Sequence, residues 1–150
     1  MASPEPVNDH TAWRLATAYI DAWNKRDRDA WLDLLHPELE FRPTALVGTR
    51  IVYHGIDGAA RYFEDLIAGE RAEQAEIAGL RRLACDRFLI ELALSIDGGL
   101  VATACIISEV RDGKFVDTAG YLSDVGSLAA TGRIPEDAPA VPQPAPESTA

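Results

Sequence analysis

The chain has 150 residues, with 14 Lys and Arg against 24 Asp and Glu, for a formal charge of −10. That length holds one domain with a sizeable core; the acidity and the lack of a basic stripe exclude a nucleic-acid binder, and the apolar stretches fall far short of the roughly 20 residues that span a bilayer. No basic region precedes an apolar one at the N-terminus, so no signal peptide is read and the expected compartment is cytoplasmic; Cys85 and Cys105 make no disulfide framework and no zinc spacing, so neither metal nor cofactor is expected.

Residues 1–7 read as a flexible N-terminus and 8–134 as the folded domain. Residues 135–150 hold five of the nine prolines and one branched aliphatic, Val141, so they read as a disordered Pro/Ala-rich tail. Within the domain, Ala12, Trp13, Ala16, Tyr19, Ile20 and Trp23 fall at three- and four-residue spacing. They predict an amphipathic helix capped by Asn8 or Asp9. Asp27 caps a second, short helix with Trp31, Leu34 and Leu35, stopped by His36-Pro37. Glu38 to Arg42 is a short strand ended by Pro43. A loop with Gly48 leads to an extended piece, Ile51 to His54, and a third helix capped by Asp57 follows and ends before Gly69.

From about residue 73 the pattern changes. Residues 73–85 read as a strand weakened by Gly79. Arg87 to Ile96 and Leu100 to Arg111 are partner strands around Asp97-Gly98-Gly99, and Asp112-Gly113 turns into a last strand, Lys114 to Leu122. A short helix or coil at 124–131 closes the domain. The fold class is α+β: a curved antiparallel or mixed sheet wrapped around a long N-terminal helix, with two further short helices.

Several phrases then carry a resemblance. They are YIDAWN at Tyr19–Asn24, RDRDAW at Arg26–Trp31, HPELEF at His36–Phe41, YHG at Tyr53–Gly55, and RDGK at Arg111–Lys114. In order and spacing they resemble the SnoaL-like group of the nuclear-transport-factor-2-like superfamily over about residues 8–131. The resemblance implies a cone with a pocket at its open end. It implies no single reaction, because the superfamily holds polyketide cyclases, ketosteroid isomerases, epoxide hydrolases and dehydratases.

Tyr19 lies on the apolar face of the first helix, so its hydroxyl needs a buried partner. It aligns with the tyrosine that donates to the substrate oxyanion in ketosteroid isomerases; the alternative is a core tyrosine bonded to a backbone carbonyl. Glu40 and Arg42 share one side of a strand, and the alignment turns that side to the pocket. Arg42 stands where those isomerases carry their aspartate base, and arginine stays protonated. Ile106 and Gly120 stand where other family acids lie, and Asp117 has the parity of the convex face. His54 offers an imidazole, a side-chain type that can move a proton, or is an exposed loop histidine. Glu91 points either into the cone, where its pKa would rise, or to the convex face.

Trp23, Tyr53, Tyr62 and Phe63, with Glu40, Glu91 and Thr118, complete the expected lining, while Trp31 reads as core. Cys105 reads as a small buried hydrophobe. Leu89, Cys105 and Ile107 leave both sheet faces apolar, which predicts a homodimer through the convex face. Two functions follow. One is an isomerase- or cyclase-type enzyme moving protons on a small apolar oxygen-bearing organic molecule, with Tyr19 as donor and Arg42 or His54 assisting. The other is a non-catalytic ligand-binding or dimerisation module.

Overall fold

The computed structural model describes residues 7–43, 51–68 and 73–144. The loop read at Gly48, Gly69, and the outer parts of both expected loose ends, 1–6 and 145–150, lie outside these residues. Helix α1 (Asp9–Lys25) starts where Asn8 accepts the backbone N–H of Thr11, and Arg26 ends it with φ 55°. Helix α2 (Arg28–Leu32) is capped by Asp27, as read, but stops at Leu32, before His36-Pro37. Strands β1 (Leu35–Arg42) and β2 (Tyr53–His54) precede helix α3 (Gly55–Ala68), in whose first turn Asp57 sits. Strands β3 (Glu73–Ala84), β4 (Arg87–Ile96), β5 (Gly99–Arg111) and β6 (Lys114–Tyr121) form the meander, and helix α4 (Val125–Ala130) follows.

The six strands form one curved sheet in the order β2-β1-β6-β5-β4-β3, antiparallel except where β1 runs parallel to β6. One face carries α1, α2 and α3 and the main core, including Tyr19, Trp31, Phe41, Phe63, Phe88 and Phe115. Asn24 ties the end of α1 to β3, its side-chain amide exchanging two 2.8 Å hydrogen bonds with the backbone of Ala75. Gly79 has a structural reason: the Glu91 carboxylate lies where a Cβ would stand, beside a register shift in β3.

The other face has its own small core. Leu128 of α4 and Ile134 pack on Leu89, Cys105 and Ile107. The apolar outer-face residues that predicted a homodimer are thus covered by the same chain, and that motive for a dimer falls away.

The segment 135–144 departs from its reading as part of a disordered tail. Ala138 and Val141 are buried. The backbone pairs along β3 through Arg82 N–H to Pro139 O (2.9 Å) and Val141 N–H to Leu80 O (2.8 Å), and the Trp13 indole donates to Val141 O. The segment thus covers the free edge of β3, whose backbone groups need partners. Its prolines lower the entropy lost on ordering, so two small apolar anchors hold it.

Candidate functional site

Helix α1 presents Tyr19 to the sheet because Tyr19 follows Ala12, Leu15 and Ala16 on the buried face. Helix α2 is short, but Trp31, its one buried residue, drops beside Tyr19 with ring centroids 5.7 Å apart. Phe115 meets Tyr19 edge-on at 5.0 Å, and Phe63 stacks on Trp31 at 5.0 Å. Phe41, Tyr62 and Tyr53 extend the cluster at 4.7–6.2 Å. Among the described residues, the space expected to be an open hollow is therefore taken up by rings. At the rim Trp23 is part-exposed; its indole donates to the Tyr62 hydroxyl at 3.4 Å, and the Arg26 guanidinium lies 4.3 Å over its ring.

Inside this apolar packing sits a small polar nest. Ser108 on β5 and Thr118 on β6 are cross-strand partners on the core face, and Thr118 also faces Phe41 across β1. They are the buried polar residues among those described, apart from the aromatics. Burial, and then the neighbouring Tyr62, push the Tyr19 phenol well above its ordinary pKa, while the Thr118 hydroxyl and the Trp31 indole oppose this by hydrogen bonding. The phenol is a neutral donor at any physiological pH. Even so, Trp31 Nε1, Ser108 Oγ and Thr118 Oγ1 each lack a well-aligned hydrogen-bond partner. Such stranded groups are rare in native cores. Every one of them can donate, so the nest suits an oxygen acceptor.

The other expected site residues are not brought together with Tyr19. Phe41 points into the core, so Glu40 and Arg42 point to the opposite face, contrary to the alignment. There Arg42 donates from Nη2 to Glu40 at 2.5 Å and from Nη1 to both oxygens of Asp117 at 3.2 Å. Burial would lower the Arg42 pKa, but the charge and hydrogen bonds of Asp117, then those of Glu40, outweigh it and raise it. His54 is exposed, at the end of the two-residue strand β2. Glu91 lies on the outer face opposite Cys105, with Arg81 Nε 3.6 Å away. Gly120 lies where a Cβ would stand 2.7 Å from the carbonyl of Pro43, so no acid fits there. Phe63 and Thr118 stay inside and Tyr53 and Trp23 at the rim, as ring packing or nest rather than as the wall of an open cavity.

Sequence reasoning missed Ser108 and the polar edge of Trp31. A serine at core parity inside an apolar strand, Cys-Ile-Ile-Ser-Glu-Val, was the available signal. The outer face holds a hollow of about 380 Å³ between Arg42, Arg87, Glu109, Asp117, Tyr121 and Arg133.

A model of the SnoaL-like domain matches residues 16–118. Among solved structures, the chain is similar to a nuclear-transport-factor-2-like protein of unknown function from Mesorhizobium loti, at 19% identity, TM-score 0.63, over 81% of this chain and 98% of that one. It is similar to a candidate isomerase of the SnoaL-like family from Agrobacterium tumefaciens, at 18% identity, TM-score 0.62, over 76% and 98%. It is also similar to a candidate polyketide cyclase from Sinorhizobium meliloti, at 17% identity, TM-score 0.58, over 71% and 93%. These identities carry the fold alone. No curated protein matches the chain. Among the described residues no helix is long and apolar enough to cross a membrane.

Proposed function

Because the chain belongs to the SnoaL-like domain family, we propose that it is a small-molecule-binding protein whose ligand offers an oxygen acceptor to the Tyr19–Trp31–Ser108–Thr118 nest. The observation that carries this reading is that three buried donors of the nest, Trp31 Nε1, Ser108 Oγ and Thr118 Oγ1, lack a well-aligned hydrogen-bond partner. A core with no role beyond packing would hold apolar groups there, since an unmade buried hydrogen bond costs about 1–3 kcal/mol. The rings that enclose the nest favour an apolar body on the ligand. Entry requires Trp23 and Tyr62 to part at the rim, where the hydrogen bond from the Trp23 indole to the Tyr62 hydroxyl is long, at 3.4 Å.

Binding is favoured over proton-transfer catalysis. The nest consists of donors, its phenol resists ionisation, and neither Arg42 nor His54 reaches it. A likeness to a candidate polyketide cyclase fits a ketone-bearing ligand, and binding such a ligand requires no base.

The test follows the three tryptophan indole N–H signals by NMR during titration with cyclohexenone, with toluene as the acceptor-free control. Cyclohexenone is expected to move the Trp31 signal downfield, and toluene to leave it in place. Ser108→Ala and Thr118→Val are expected to weaken cyclohexenone several-fold. A Trp31 signal indifferent to cyclohexenone at saturating concentration would overturn the reading.

A further inference from the structure

The outer-face hollow stands apart from the nest, on the opposite side of the sheet. Ile107 and Ala119, both largely buried, and the half-buried Tyr121 ring contribute to its lining. Arg42 is already committed to Glu40 and Asp117. The other two guanidiniums are not. Arg133 lies 5.3 Å over the Tyr121 ring and makes no ion pair, and Arg87 makes none either, among the described residues. Arg87 stands across the β4–β5 pair from Glu109 without forming an ion pair with it, so both exposed guanidiniums keep their hydrogen-bond donors open on one hollow.

We propose that this hollow binds a small organic monocarboxylate, held by Arg87 and Arg133, with its apolar body against the Tyr121 ring. A planar carboxylate matches the guanidinium fork, which donates two parallel hydrogen bonds. A dianion fits worse. Glu109 and Asp117 line the same hollow; Arg42 neutralises Asp117, but the nearest cation to Glu109 is Arg111, 4.0 Å away. A second negative charge on the ligand would face Glu109. The stacked Arg133–Tyr121 pair favours an aromatic body, whose face can join that stack.

The probe is benzoate, titrated into the full chain by NMR and calorimetry, with benzylamine and inorganic phosphate as comparisons. Benzoate is expected to shift the amides around Arg87, Tyr121 and Arg133, to weaken with added salt, and to bind more tightly than either comparison. The double variant Arg87→Gln/Arg133→Gln is expected to weaken benzoate at least tenfold. Both positions are solvent-exposed, so its amide spectrum is expected to show an intact fold. Thr118→Val, in the separate nest, is expected to leave benzoate binding unchanged. Three results would overturn the proposal: benzoate affinity indifferent to the double variant, phosphate binding as tightly as benzoate, or a stable dimer whose contact covers the hollow and leaves benzoate without effect.

Discussion

Replacing Thr118 with valine isolates the cost of the polar nest. Valine keeps the branched shape and removes the hydroxyl. Thr118 is fully buried and its Oγ1 has no completed hydrogen bond. A stranded hydroxyl costs the folded state about 1–3 kcal/mol. The Tyr19 phenol facing it returns part of that, so the net gain on removal is about 1 kcal/mol. The variant is therefore expected to be more stable than the parent, with a melting temperature higher by roughly 2–4 °C for a chain of this size. Urea unfolding followed by circular dichroism measures it, and an unchanged slope shows that the same surface is exposed. Ser108→Ala is expected to act in the same direction. The two residues are neighbours, so their effects need not add. Greater stability joined to weaker cyclohexenone binding is the pattern of a site held against the interest of the core. A loss of 1 kcal/mol or more in Thr118→Val, with the fold intact, would refute the reasoning, because the hydroxyl would then be satisfied and would need no ligand.

Other outcomes follow from the same structure. Val141→Ala is expected to cost about 2 kcal/mol by removing two buried methyl groups and to speed proteolysis of the C-terminal segment; cleavage at the parent's rate would show that the segment is not anchored. Arg42→Gln leaves Glu40 and Asp117 facing each other on adjacent strands. Both are well hydrated, so the loss is expected to be about 1 kcal/mol at low salt and smaller at high salt, measured by thermal melts at two ionic strengths. Burial, then the charges of Glu91 and Asp124, push the Cys105 thiol up to about 12. Its folded pKa thus exceeds the unfolded value of about 8.5. The stability this represents is complete below that value and is lost as pH climbs towards the folded one. Cys105→Ala is expected to flatten the alkaline limb of stability against pH. In the parent at neutral pH, the exposed Cys85 is expected to react with a thiol reagent and Cys105 to remain protected, as mass spectrometry would record.

The placement of β1 shows how the sequence was legible and how it misled. Leu39 and Phe41 alternate with Glu40 and Arg42, and simple alternation puts the apolar pair inside. Family alignment pointed the charged pair inward instead, and the observed strand follows the alternation. Ser108 was hidden for a different reason. Counting back from the Asp112-Gly113 turn pairs Ser108 with Asp117. The bulge between Glu109 and Val110, with Val116 as the extra residue, moves its partner to Thr118. A bulge leaves no trace in residue order.

The caps at Asn8 and Asp27, the hairpin turns, the strand positions and the α+β class were all local matters. Each rests on a few neighbouring residues and their backbone preferences, so the chain carried them without help. The side of the sheet that Glu91 faces, the burial of Ala138 and Val141 against β3, and the cover that α4 gives the outer face depend on contacts between residues far apart in the chain. So does the convergence of Tyr19, Trp31, Ser108 and Thr118, which come from two helices and two strands. Register and packing bring such groups together, and both arise only when the whole sheet closes around its core.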